Sequence, residues 1–176
     1  ETGIVAVDSV SGADAAESGT QSVTITITEN ESAPTVTLSS SANSIAENAG
    51  SSLTLTATLS VATTADVTVG ISTSGTGTEG TDYSNISDIT ISAGSTTGTT
   101  SFTPTDDSTY EGNETGIVAI SSVSGGSATE DGTQSVTITL TDNESAPTVT
   151  LATSASSIAE NAGSSLTLTA TISQVA

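Results

Sequence analysis

The sequence repeats itself with a period of 113 residues. ETGIVAV at 1–7 returns as ETGIVAI at 114–120, ESAPTVTL at 31–38 returns at 144–151, and SIAENAGSSLTLTAT at 44–58 returns at 157–171. Residues 1–63 align on residues 114–176 without a gap, and 48 of the 63 pairs are identical. A fixed long period means one supersecondary unit used more than once. The expected organisation is the end of one unit at 1–31, a complete unit at 34–144, and the beginning of a third at 147–176. The connectors are the tripeptides Ser-Ala-Pro at 32–34 and 145–147. Proline fixes φ and donates no backbone hydrogen bond, which favours a stiff joint over a loose tether. The sequence has neither an initiator Met nor a signal peptide, so both ends are expected to be cuts within a longer polypeptide.

The unit reads as all-β. In 21–29 Val23, Ile25 and Ile27 alternate with threonines, and in 52–59 Leu53, Leu55, Ala57 and Leu59 do the same. A period of two buries one face of a strand and wets the other. Strands are expected near 34–40, 51–60, 66–73, 88–92, 98–104, 115–123 and 134–142, separated by Gly, Ser, Asn and Asp clusters. Seven short antiparallel strands in one unit imply an Ig-like two-sheet sandwich, with successive sandwiches in tandem. The threonine ladders invite comparison with ice-binding faces. Because long loops of unequal length interrupt them, the preferred reading is the solvent face of ordinary strands.

Charge narrows the function. The chain has no Lys, Arg, His or Cys and a formal net charge of −20. No side chain can neutralise a phosphate, which argues against nucleic acid and anionic membrane surfaces as partners. No apolar run approaches the ~18 residues of a membrane span, so no membrane insertion is expected. Without His, Cys or Lys there is no conventional nucleophile or base, and an enzyme is not expected. Paired acids would in principle suit glycoside hydrolysis, but one Phe and two Tyr supply no aromatic cleft.

The acids collect between the expected strands. Glu47 lies in IAEN, Asp82 in GTDY, Asp106, Asp107, Glu111 and Glu114 in TDDSTYEGNE, and Asp142, Asn143 and Glu144 in TDNE. These motifs, in this order and spacing across nearly all of 34–144, resemble those of the Calx-beta domain. The resemblance implies a seven-stranded Greek-key sandwich that binds Ca²⁺ at one end. It implies that Glu47, Asp82, Asp107, Glu111 and Glu114 converge there with Asp142 and Glu144, that Asp106 lies alongside, and that the Thr109 carbonyl is a backbone ligand. Asn143 stands where the family carries an acid, and Ser108 follows Asp107 where some members have a third Asp. One to three ions and an affinity of about 10⁻⁴–10⁻³ M are therefore expected. The donor set agrees with calcium, which takes six to eight oxygens in flexible geometry, while zinc and copper favour nitrogen and sulfur ligands.

Two uses of such a module are open. One is an extracellular or cell-surface stalk, adhesin or filament of the kind found in large bacterial surface proteins, whose partners are neighbouring repeats of the same chain and other copies in a filament. The other is a regulatory calcium sensor within a larger protein. Near-identity between repeats favours the first. Asn-X-Ser/Thr triplets at Asn30, Asn85, Asn113 and Asn143 are read as coincidence in a Ser/Thr-rich chain.

Overall fold

The structure, a computed structural model, describes residues 1–161 and 163–173. The chain divides into two compact units, Glu1–Ser32 and the remainder from Ala33 onward. No helix among the described residues is long and apolar enough to cross a membrane.

The first unit is a β-ribbon of β1 (Thr2–Ala6) and β2 (Ser22–Thr26), paired antiparallel with Thr2 opposite Thr26 and Val5 opposite Val23. The body of the second unit is a sandwich. Its strands are β3 (Thr35–Ser40), β4 (Ser44–Ala46), β5 (Leu53–Leu59), β6 (Val67–Gly75), β7 (Ile89–Ile91), β8 (Thr97–Phe102), β9 (Glu114–Ser124), β10 (Thr129–Glu130) and β11 (Ser135–Thr141). One sheet has the order β10-β3-β5-β8 and the other β4-β11-β9-β6-β7. The same unit continues into β12 (Val149–Thr153) and β13 (Leu168–Ile172), which pair antiparallel with each other.

The alternating pattern fills the space between the sheets. Val36, Leu55, Val69, Ile89, Val118 and Ile138 are fully buried, while the threonines between them face outward. Thr54, Thr56 and Thr58 of β5 lie opposite Ser101, Thr99 and Thr97 of β8, so the outer face is a hydroxyl lattice without charge. Tyr83 and Phe102 supply the only large rings of the core, stacked with centroids 4.6 Å apart. Gly116 makes room for them, since a Cβ there would come within 2.9 Å of the Phe102 ring.

Each expected strand position is occupied, but the unit holds nine strands rather than seven, and two pairings are parallel. The N-terminal edge strand is broken. After β3 the chain turns at 41–43, where Ser40 Oγ donates to the Ala42 carbonyl at 2.7 Å. It then joins the opposite sheet as β4, parallel to β11. The switch lets Ile45 bury its side chain in the same core as Val36 and Leu38. The two-residue β10 closes the other edge, parallel to β3. Neither segment shows enough alternation to be read from sequence.

The ribbons at either end repeat the register of the complete unit. Shifted by 113, the β1–β2 pairs Thr2/Thr26 and Val5/Val23 become Thr115/Thr139 and Val118/Val136 of β9–β11. The β12–β13 pairs Val149/Ile172 and Leu151/Ala170 correspond to Val36/Leu59 and Leu38/Ala57 of β3–β5. The same sequence thus selects the same pairing in both places.

Candidate metal centre

One end of the sandwich gathers the acids. The strand ends at Ala46, Gly75 and Thr141 and the strand start at Glu114 all lie there, as the pairings Ala46/Thr141, Gly75/Gly116 and Leu140/Glu114 require, and the Phe102 ring against Gly116 brings the end of β8 there too. The 76–88 loop is tied to the 103–113 loop by two backbone bonds. Thr105 N–H donates to the Asp82 carbonyl and Ser84 N–H to the Thr103 carbonyl, each at 2.9 Å. A short 3₁₀ turn, Glu47–Ala49, follows β4 and ends on Gly50 with φ 61°. This turn carries Glu47, 6 % exposed, to the same place.

Two groups of carboxylates result. Glu47, Asp142 and Glu144 offer oxygens that all lie within 4.8 Å of one another, and so do Asp82, Glu111 and Glu114. Six of the ten residues singled out from the sequence are therefore brought together. Asp106 and Asp107 lie outside these triads but within their field. Asp107 disfavours ionisation of Glu47 and Glu111, and Asp106 does the same to Glu144. Thr109 belongs to neither triad, and its N–H donates to Asp107 Oδ1 at 2.6 Å. Asn143 also stands outside them, with its amide nitrogen donating to Glu144 Oε1 at 2.7 Å.

Protonation follows from crowding. Burial, then the charges of Asp142, Glu144, Asp107 and Glu111, push the Glu47 carboxyl up to about 7. Glu111 and Glu114 are raised by desolvation and then by Asp82. Glu144 is raised by desolvation and by its contact with Asp142. Asp142 runs the other way. Desolvation pushes it up, but the N–H groups of Gly112, Glu144 and Glu111 outweigh that and hold it below its ordinary value. Those donors lie 2.5–2.7 Å from its oxygens. Hydrogen bonds to an ionised carboxylate favour the charged form.

Residues not singled out from the sequence prepare the site. Asn113 Oδ1 accepts the Asp142 N–H at 3.2 Å. Gly112, with φ 77°, turns the chain so that its N–H reaches Asp142. Gly77 leaves space beside Glu114, since a Cβ there would lie 3.4 Å from Glu114 Oε2 and 3.1 Å from a Leu140 methyl. Gly112 stands next to Glu111 in the sequence, but nothing there tells that its N–H serves Asp142 or that Gly77 makes room for Glu114.

The model of the Calx-beta domain family matches residues 29–144. The chain belongs to the Calx-beta family. Among solved structures, it is similar to the apo form of the Calx CBD1 domain, with 16 % identity, a TM-score of 0.51, and coverage of 62 % of this chain and 98 % of that one. It is also similar to the calcium-binding domain CBD12 of CALX1.1, with 17 % identity, a TM-score of 0.50, and coverage of 60 % of this chain and 45 % of that one. The chain thus spans less than half of the CBD12 structure, and at these identities the likeness shows the fold. Among curated proteins none matches the sequence significantly. The Calx-beta unit of this chain places its acids at one end of a β-sandwich, on four separate stretches of backbone.

Proposed function

We propose that this chain is a calcium-binding structural module, one stretch of a tandem Greek-key array that serves as an extracellular or cell-surface stalk, adhesin or filament. The observation that carries the metal reading is a pair of orphans. Glu114 Oε2 and Glu144 Oε2, one from each triad, are buried without a hydrogen-bond partner. A buried unpaired carboxylate oxygen is costly, and no Lys, Arg or His exists to pair with it. An all-oxygen donor set on several loops fits calcium.

Glu47, Asp142 and Glu144 would hold one ion and Asp82, Glu111 and Glu114 another. When bound, calcium supplies the positive charge that the chain lacks. Asp142 is held ionised by three backbone donors, so its group is ready for a cation at neutral pH. Glu47, pushed up to about 7, resists ionisation without one, so binding should release a proton near neutrality; Glu111, Glu114 and Glu144 are also raised. Asp106 and Asp107 add charge at the rim.

The structural role rests on the near-identical repeats and on the repeated strand register. A spacer can use the same unit again, whereas a sensor depends on a change of shape. Two measurements test the reading. Calcium at millimolar concentration should raise the unfolding temperature well above that in chelator, and magnesium should raise it less. Small-angle scattering on a polypeptide of several repeats should show a longer, stiffer particle with calcium. No calcium effect on melting removes the metal reading. Melting that responds while the length stays constant removes the stalk mechanism and leaves a binding module.

A further inference from the structure

The chain enters the complete unit at one end of the sandwich and leaves it at the other. β3 begins away from the acids, since Val36 lies opposite Leu59, whereas Leu53 at the other end of β5 lies opposite Phe102, whose ring packs on Gly116. β11 ends among the acids, where Thr141 pairs with Ala46. A pull between the connectors at 32–34 and 145–147 therefore runs along the strands. Loaded in that direction, the bonds between two strands share the force and must yield together. A pull that parts two strands from a common end breaks the same bonds one at a time.

The first strand cannot slide out freely. β3 is held on both edges, by β5 and by the two-residue β10. Thr129 N–H donates to the Pro34 carbonyl and Asp131 N–H to the Val36 carbonyl, each at 3.0 Å, and Leu38 N–H donates to Gln134 Oε1 at 3.3 Å. After the switch at 41–43, β4 lies parallel to β11, with Ser44 opposite Thr139 and Ala46 opposite Thr141. Thr139 N–H donates to the Asn43 carbonyl at 2.9 Å. Because the pair is parallel, β4 is drawn back by its beginning and β11 forward by its end. The two strands are driven past each other along their shared ladder. Ile45 sits in the core, so β4 must also drag a buried side chain as it slides.

We propose that the β4–β11 pairing is a shear clamp, which gives this unit the further function of resisting stretch. The sheet switch creates it. An unbroken first strand would pair in its own sheet alone and leave the last strand without a tie to the first. The clamp stands without metal. One triad also straddles it, for Glu47 directly follows β4 and Asp142 directly follows β11. An ion there would tie the two loaded strands beyond their last pair, a part that rests on the calcium reading above.

The test stretches residues 1–176 in optical tweezers. The chain has no Cys, so introduced thiols define where the handles attach. Ala33→Cys with Ala146→Cys loads the unit along its strands. Ala33→Cys with Thr133→Cys loads it from the entry end alone, because Thr133 precedes β11 in the turn whose Asp131 bonds Val36. All three positions are exposed. In chelator and at equal force, unfolding through the first pair of handles should be at least about tenfold slower than through the second. Ile45→Ala and Ile91→Ala remove the same atoms from the core, and both should lower the melting temperature. Only Ile45→Ala should speed unfolding through the first pair of handles, by at least about tenfold, because β4 yields at the barrier while β7 is still packed. Equal rates through the two attachments overturn the clamp, and so does equal acceleration by the two variants. Millimolar calcium should slow unfolding through the first pair by about tenfold or more and leave the second nearly unchanged. Calcium that raises melting without slowing this step overturns the tie across the clamp and leaves the metal reading standing. Calcium that changes neither removes the metal reading and the tie together, and the rates in chelator still decide the clamp.

Discussion

Replacing Glu47 by Gln should stabilise the metal-free protein and weaken calcium binding, two effects of opposite sign from one atom. The carboxyl is pushed from 4.5 up to about 7, first by burial and then by its acidic neighbours. A raised folded-state value means that its stabilising contribution is complete below about 4.5 and is lost as pH rises through about 7. At pH 8 the full shift corresponds to about 3 kcal/mol. Its charged neighbour Glu111 is exposed, and solvent screening of that charge reduces the amount to roughly 1–2 kcal/mol. Gln keeps the shape and removes the charge. In chelator at pH 8 the variant should therefore melt higher by about 3–8 °C for a unit of this size. At pH 4 the parent carboxyl is protonated and the two proteins should melt together. In calcium the order should reverse, because an ionised ligand has been lost. Scanning calorimetry in chelator and in calcium at both pH values gives the four numbers needed. An E47Q protein that is less stable than the parent in chelator at pH 8 refutes the argument, since Glu47 would then be a favourable partner and not a crowded charge.

Asp142→Asn should act differently in chelator. It removes the charge that three backbone N–H groups hold, so melting should fall without calcium as well as with it, and calcium affinity measured by calorimetry should drop by about tenfold or more. Glu114→Gln should follow Glu47→Gln, with higher melting in chelator and weaker binding in calcium. Raising salt from about 0.1 to 1 M shortens the screening length from about 10 to 3 Å. It should raise melting of the chelated protein and leave the calcium-loaded one nearly unchanged. Gly116→Val forces a side chain into the Phe102 ring and should cost about 1–3 kcal/mol, lowering melting equally with and without calcium.

The repeat and the alternation made most of the fold legible. Val36, Leu38, Leu55, Ala57 and Leu59 sit on one face because the period is two, and all are buried. The sheet switch at 41–43 was not legible, because Ser44–Ala46 has one apolar side chain to bury besides Ala46 and no alternation to count. The acids were legible as a set, since they fall in turns at strand ends. Their division into two triads was not, because Glu111 and Glu114 belong with Asp82, far away in sequence, rather than with their near neighbours Asp106 and Asp107. Partnership across loops depends on strand register and loop ties, such as the Thr105 bond to the Asp82 carbonyl, and local sequence does not encode these.

On the proposed reading, the distribution of charge ties this fold to cations in a particular way. The outer face of the β5–β8 ladder carries hydroxyls and no ionised group. At the sandwich end, where the acids form two triads, two carboxylates about 4 Å apart cost roughly 4 kcal/mol at an effective dielectric near 20. The core above it is aliphatic, with one stacked pair of rings, and a domain of this kind is stable by only about 5–15 kcal/mol. A calcium ion present at a hundred times its dissociation constant contributes about 2.7 kcal/mol per site. Two sites then supply an amount comparable with the lower end of the total. On the proposed reading, a weak site would suffice where calcium is millimolar, and the same weakness would let the module loosen when calcium falls. Near-identical repeats would then share that threshold, so an array of them would stiffen or soften as a whole.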